Sequence, residues 1–334
     1  MERHVVADER FLVTGGTGCI GSWLVRNLVL DEVPVVVLTA GRRFDRLRLI
    51  LTEAEFDSIT FVTGDIADLA TLEAASRRHG INRIIHLAGM QFPFCAADPI
   101  KGAQVNVAGT VTIFELAKRL GLEQIVYASS AAVYGPRSHY EDAVLGPDAA
   151  FFPTSHYGLY KVANEQSARV YWQNDGISSI GLRPHSVYGP GRDQGVTSKP
   201  TVAMIAAAAG RPYHVNFGGS YQFQFVDDAA KAFLRAARAT FHGAAVYNIG
   251  GSTFGVGEII ACIERNEPDA RGRITFEDRP LPFPEAFDSR PIIEALGAHP
   301  ETLLEDGVRR TLDVYRAALR TGTLDEAYLD RVLA

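Results

Sequence analysis

A glycine-rich turn stands directly after the first apolar run, and it constrains the fold more than any other feature. Phe11-Leu12-Val13 leads into Thr14-Gly15-Gly16-Thr17-Gly18-Cys19-Ile20-Gly21, and a helix-period segment follows from Ile20 to about Leu30. Apolar runs then recur at Val35–Leu38, Ile59–Val62, Arg83–Leu87, Gln124–Tyr127 and Ile177–Leu182. Helix-period stretches separate them, for example Ala103–Leu120 and Tyr157–Gln173. Short β-branched runs flanked by Gly, Thr and Asp read as buried strands. Strands alternating with helices give a parallel sheet covered on both faces by right-handed crossovers. The expected class is therefore α/β, a Rossmann-type doubly wound parallel sheet.

After Arg183 the rhythm breaks at Pro184, Gly189-Pro190-Gly191, Pro200, Pro212 and Gly218-Gly219. A helix near Asp227–Thr240 and a strand at Val246–Ile249 read as returns to the sheet. The expected organisation is a dinucleotide-binding unit over 1–184 plus about 223–252. A smaller C-terminal substrate lobe is expected over about 185–222 plus 253–334.

In a strand–turn–helix context the three glycines have separate tasks. Gly15 permits the tight turn, Gly18 lets backbone approach a pyrophosphate, and Gly21 lets the helix pack on the sheet. The phosphates then rest on the helix N-terminus. The second strand ends in Thr39-Ala40-Gly41-Arg42-Arg43, without the carboxylate that usually binds the ribose 2′-hydroxyl of NAD. Arg42 and Arg43 favour NADP by offering a 2′-phosphate a partner. They also fit a solvated start to the next helix. Asp65-Ile66 ends the third strand, where Asp65 could contact adenine or cap the following helix. Leu87-Ala88-Gly89 ends the fourth with side chains small enough for close cofactor approach. Cys19, at a helix N-terminus, stands where thiolates are favoured.

Tyr157 and Lys161 are four residues apart on one predicted helix face, and Ser129-Ser130 ends the fifth strand. A tyrosine with a pKa of about 10 is a poor base at neutral pH. A neighbouring ammonium favours its phenolate, which can then take a proton from an alcohol as hydride leaves the same carbon. Ser130 would hold the same oxygen.

These segments closely resemble the extended short-chain dehydrogenase/reductase family, also called the NAD-dependent epimerase/dehydratase family. The resemblance rests on Gly15-x-x-Gly18-x-x-Gly21, His86–Gly89, Asn106–Thr110, Ser129–Gly135, Tyr157-x-x-x-Lys161 and Arg183–Gly191, in family order. A weaker match runs on through Phe223-x-x-Val226-Asp227-Asp228 to about Tyr315. It implies a catalytic triad of Ser130, Tyr157 and Lys161. Asn106 would order the site, and Pro184 and Ser186 would flank the cofactor. It also implies a homodimer formed through the helices near 103–120 and 157–173.

Departures from the family pattern narrow the chemistry. Dehydratases of the family carry Thr-Asp-Glu where this chain has Ser130-Ala131-Ala132, and alanine cannot supply their acid and base. Many UDP-sugar epimerases carry Asn at the position of Ser186, and an arginine where Tyr221-Gln222-Phe223 stands. Its loss removes a diphosphate partner. Candidate substrate contacts are Gln91, Phe92, Ser130, Ala131, His185 and Arg192.

The expected activity is an NAD(P)-dependent epimerase or dehydrogenase acting on a hydroxyl of a carbohydrate or sugar acid. A UDP-glucose-type 4-epimerase is one alternative, and a non-catalytic NADP-sensing scaffold is another. Composition excludes other classes. With 47% hydrophobic residues the chain can build a full core, and a net charge of −6 disfavours a nucleic-acid partner. Three dispersed cysteines support neither a disulfide framework nor a zinc site, and the nine histidines show no metal-binding spacing. No secretory or membrane segment is visible, so the cytoplasm is the expected location.

Overall fold

The computed structural model describes residues 8–298 and 301–334. Its largest sheet has seven strands, all parallel. They are β1 (Phe11–Thr14), β2 (Val35–Thr39), β3 (Thr60–Thr63), β4 (Arg83–His86), β5 (Gln124–Ala128), β6 (Ser178–Arg183) and β9 (Ala244–Asn248), in the spatial order β9-β6-β5-β4-β1-β2-β3. The expected doubly wound fold is present.

The strand pleat explains why these runs are apolar throughout. Phe11, Val13, Val35, Val37, Ile85, Val126 and Ile180 point to one face. There they pack on α1 (Cys19–Leu30) and on α4 (Val226–Arg238). Leu12, Val36, Leu38, Ile84, Ile125 and Tyr127 point to the other face. They meet α2 (Gly109–Leu120) and α3 (His156–Asp175) there. Successive residues serve opposite cores, so neither set can be polar.

A second sheet joins β7 (Ser186–Tyr188), β8 (Ser220–Phe225) and β10 (Ser252–Gly255), with β7–β8 parallel and β8–β10 antiparallel. It carries a separate apolar cluster with Phe223, Phe225, Ile259, Val308 and Leu312. The chain crosses between the sheets at Pro184-His185.

The segment expected as one helix over 103–120 is divided. Pro99–Ala103 and α2 are α-helical, and Gln104–Ala108 between them is a π turn. Within that turn the Thr110 hydroxyl donates to the Asn106 carbonyl at 2.7 Å. The Asn106 side chain reaches back to the Met90 peptide, accepting from its N–H at 2.9 Å and donating to its oxygen at 3.1 Å. A widened turn releases that side chain from the helical ladder.

A buried ion pair fastens α3 to the sheet. Arg183 donates to both Glu165 oxygens, at 2.8 and 2.7 Å. Ser129 also donates to Glu165. The third side-chain nitrogen of Arg183, Nη1, serves the Tyr134 hydroxyl at 2.6 Å and the Pro147 carbonyl at 2.7 Å. Breaking such a pair strands a buried charge at a cost of about 3–5 kcal/mol. Glu165→Ala is expected to lose that much stability by urea denaturation, and the apolar double variant E165L/R183M to lose clearly less. A loss below about 1 kcal/mol for the single variant would show the pair to be dispensable.

Candidate active site

The strand order reverses at β1, which has β2 on one side and β4 on the other. Ligand crevices in open α/β sheets form at the carboxyl ends beside such a point. A cavity of about 920 Å³ opens there. The two strand ends are joined by Thr14 Oγ1 and His86 Nδ1, 2.7 Å apart, and His86 Nε2 meets the Thr110 hydroxyl at 3.1 Å. Burial pushes His86 down to about 3, so it is a neutral bridge.

The glycine turn forms one wall. Gly15 has φ +71°, and a Cβ there would lie 2.6 Å from the Ala88 nitrogen. A Cβ on Gly21 would lie 2.1 Å from the Gly15 carbonyl oxygen. Both glycines are therefore demanded by the fold itself. Gly18 differs, because a Cβ there meets one protein atom within 4 Å, the Gly15 oxygen at 3.1 Å. Its bareness opens the cavity wall. No side chain caps the N-terminus of α1, and its first turn holds no acidic residue. A bare cradle with free N–H groups fits a phosphate.

Thr17, Cys19, Ile20, Asp65, Ile66, Leu87, Ala88 and Gly89 also line the cavity. Asp65 does not cap the next helix: that task falls to Asp68, which accepts from Thr71 N at 3.1 Å. Asp65 accepts from Ala67 N at 3.0 Å and pairs with Lys101 at 3.4 Å. The Cys19 thiol does not tend toward thiolate. Burial outweighs the neighbouring Arg192 and Arg46 charges and pushes it up to about 11.

Four expected site residues lie outside the lining. Arg42 and Arg43 are exposed, and Arg43 faces Asp45 at 3.7 Å. The cation that lines the cavity near the end of β2 is Arg46, whose Nε donates to Asp193 at 3.1 Å. A short helix starting at Asp45 turns Arg46 inward, a geometry that spacing alone does not reveal. Asn106 stands behind the wall, clamping Met90, and Ser186 is buried in β7.

Ser130, Tyr157 and Lys161 converge on the cavity. Ser155 caps α3 by accepting from Gly158 N at 3.1 Å, which starts the helix so that Tyr157 and Lys161 face inward. The Ser130 oxygen accepts from Ala132 N at 3.1 Å, leaving its proton free to donate. Lys161 is buried and donates to the Ala128 carbonyl at 2.7 Å, with its nitrogen 5.8 Å from the centre of the Tyr157 ring. Burial lowers Lys161 to about 8. Burial also raises Tyr157, while the Ser130 hydroxyl and the Arg192 charge pull it back. The expected ammonium beside the phenol is thus an ammonium against the ring face, and the Arg192 charge also acts on Tyr157.

Gln91, Phe92, Ala131, Pro184, His185 and Arg192 line the remaining walls. His185 Nδ1 lies 3.0 Å from the Gln222 carbonyl and so carries the proton, which leaves Nε2 as an acceptor. Burial lowers His185 to about 4, so it is neutral. Pro282-Phe283-Pro284 and Phe287 close this end, and Phe287 packs edge-on against His185 at 4.7 Å. Sequence reading placed that segment in the lobe without bringing it to the site. Its signal was the proline spacing, which marks an irregular segment, and the chain bends at Pro282 and Phe283 beside the cavity.

The sequence pattern of the NAD dependent epimerase/dehydratase family matches residues 11–250. The chain belongs to that family. A UDP-glucose 4-epimerase of Mycolicibacterium smegmatis is 32% identical over 325 residues, covering 92% of this chain and 98% of that protein. The crystal structure of Thermus thermophilus UDP-glucose 4-epimerase with NAD superposes with a TM-score of 0.78 at 23% identity, over 92% of this chain and 99% of that one. A partial-consensus L-threonine 3-dehydrogenase has the same fold, at TM-score 0.78 and 23% identity over 92% and 99% of the two chains. Among the described residues no helix is long and apolar enough to cross a membrane.

With Tyr157 as the base and Lys161 as its cation, the roles the family resemblance implies, the two shifts set an expected pH dependence. Phenolate gains with pH toward a value above 10, while Lys161 loses its charge above about 8. Their product rises about tenfold per pH unit and then levels. The expected kcat/KM profile climbs to about pH 8 and is flat beyond it. In Lys161→Arg, which keeps its charge, the climb continues past about pH 9. A wild-type profile still climbing there would show that the Lys161 charge is not needed.

Proposed function

We propose that this chain is an NAD(P)-dependent oxidoreductase acting on a hydroxyl of a carbohydrate or sugar-acid substrate, as an epimerase or a dehydrogenase. The observation that carries this reading is the convergence of Ser130, Tyr157 and Lys161 on a cavity whose opposite wall is a bare glycine turn at a helix N-terminus. A bound nicotinamide supplies the hydride acceptor. Tyr157 takes the hydroxyl proton, Ser130 donates to the same oxygen, and Lys161 holds positive charge against the Tyr157 ring. His185 Nε2 accepts from a neighbouring substrate hydroxyl. Ala131 and Ala132 leave no carboxyl group for water elimination, so dehydration is not part of this reading.

A UDP-glucose 4-epimerase is the second reading, favoured by the 32% identity to the Mycolicibacterium smegmatis enzyme over nearly the full length of both chains. The nicotinamide unit is read as NADP, because no carboxylate ends β2. The organisation is read as a dinucleotide unit completed by α4 and β9, with the second sheet belonging to the substrate lobe.

Tyr157→Phe is expected to abolish turnover across a panel of free sugars, sugar acids and nucleotide sugars. Its Kd for NADPH should stay within about threefold of wild type and lie below its Kd for NADH. Retained turnover rejects the assignment, and tighter NADH binding rejects the cofactor preference. Reduced nicotinamide accumulating during turnover marks a dehydrogenase, and its absence with sugar interconversion marks an epimerase.

Leu159, Ala163, Gln166 and Val170 form one face of α3, on which Leu159 and Val170 are each half exposed. That face supports a homodimer, and Leu159→Glu with Val170→Glu is expected to halve the mass seen by analytical ultracentrifugation. A monomeric wild type rejects it.

A further inference from the structure

Arg192 sits on the loop after β7, and that loop is fixed from several sides. Trp23 donates to the Pro190 carbonyl at 2.9 Å, and Gly191 N donates to the Tyr315 hydroxyl at 3.0 Å. Arg192 N donates to the Gly189 carbonyl at 3.1 Å. Asp193, the carboxylate nearest in sequence, is committed to Arg46, and the Tyr328 hydroxyl lies 3.4 Å from its other oxygen. Among the described residues, the guanidinium of Arg192 has no anionic partner. Its contact within hydrogen-bond range is a long one, 3.4 Å from Nη2 to Thr197, and its buried Nε has no acceptor.

Facing it is Gln91, from the loop after β4, whose buried Oε1 has no donor either. Both side chains close on Gly195, at φ +104°. A Cβ there would lie 2.9 Å from Gln91 Oε1 and 3.0 Å from Arg192 Nη2. Among the described residues, these two atoms are the unpartnered buried polar atoms whose residues also line the cavity. Unmet hydrogen-bonding groups in a buried wall are costly unless a ligand completes them.

We propose that Arg192 and Gln91 form an oxyanion-binding subsite in the cavity wall, taking a phosphate of the dinucleotide or an acidic group of the substrate. The guanidinium presents Nε–H and Nη2–H to the oxyanion, the fork geometry in which arginine binds carboxylate or phosphate. The Gln91 amide, turned end for end, adds an N–H donor. The position agrees with both sources. Arg192 lines the same cavity as Cys19 of the glycine turn and Tyr157, and its charge lowers the pKa of both. The other cations of the lining are engaged: Arg46 with Asp193, Lys101 with Asp65, and Lys161 with the Ala128 carbonyl.

This inference rests on the cavity being the dinucleotide and substrate site. The test is calorimetric binding to wild type, Arg192→Gln, Arg192→Lys and Gln91→Leu. The probes are NADPH alone, then UDP-glucose and D-glucuronate with NADPH saturating. Thermal melts establish that each variant is folded. At least a tenfold weaker Kd for NADPH in R192Q, partly restored in R192K, supports the subsite with the cofactor phosphate as its anion. Unchanged NADPH affinity with at least tenfold weaker binding of UDP-glucose or D-glucuronate supports it with the substrate as the source. Affinities within twofold of wild type for all three probes in both R192Q and Q91L overturn it. A wild type that binds none of the probes overturns the reading of the cavity as well.

Discussion

The active geometry depends on one buried ion pair. Tyr157, Lys161 and Glu165 stand on successive turns of one face of α3. The first two face the cavity, and the third is bound by Arg183 at the end of β6. Ser129, bonded to the same carboxylate, is the chain neighbour of Ser130. The pair thus fixes the helix that carries Tyr157 relative to the strand end that carries Ser130. Each side-chain nitrogen of Arg183 has a partner, Glu165, Tyr134 or Pro147, so the low dielectric strengthens the network.

The rigidity gained there is matched by a cost nearby. Lys161 is held in a site where burial alone opposes its charge, lowering it to about 8. Ordinary folding places an ammonium in water. Here the helix register set by Glu165 brings the ammonium under the Tyr157 ring, with the Ala128 carbonyl as its hydrogen-bond partner. A charge kept in such a place acts on the reacting groups with little screening, which an exposed lysine cannot do.

The sheet and the meeting of Ser130, Tyr157 and Lys161 at one cavity were legible because each is written in short-range sequence. Continuous apolar runs such as Phe11–Thr14 serve two cores at once, and Tyr157 and Lys161 need only one helical turn to meet. The π turn at Gln104–Ala108 was not legible, since it follows from a bond between Asn106 and Met90, whose peptide belongs to another loop. Arg42 and Arg43 misled for a similar reason. Their charge was read correctly, but the short helix starting at Asp45 turns Arg46, three residues on, into the cavity. The Pro282–Pro284 segment reaches the site across 89 residues of intervening chain, counted from Arg192 in the numbering.

The distribution of charge in the cavity limits what it can hold. Asp65 is the one carboxylate among the described lining residues, and it is already matched by Lys101 and Ala67 N. His185 is neutral, and Phe283, Phe287 and the flanking prolines are apolar. A ligand with several cationic groups would therefore find no partner. One with an oxyanion, hydroxyl groups and an apolar face would find each matched, by Arg192, by His185 and Ser130, and by the aromatic end. The acidic balance of the whole chain would suggest repulsion of such a ligand. The cavity reverses that sign locally, because its carboxylate is neutralised while its guanidinium and helix N-terminus are not.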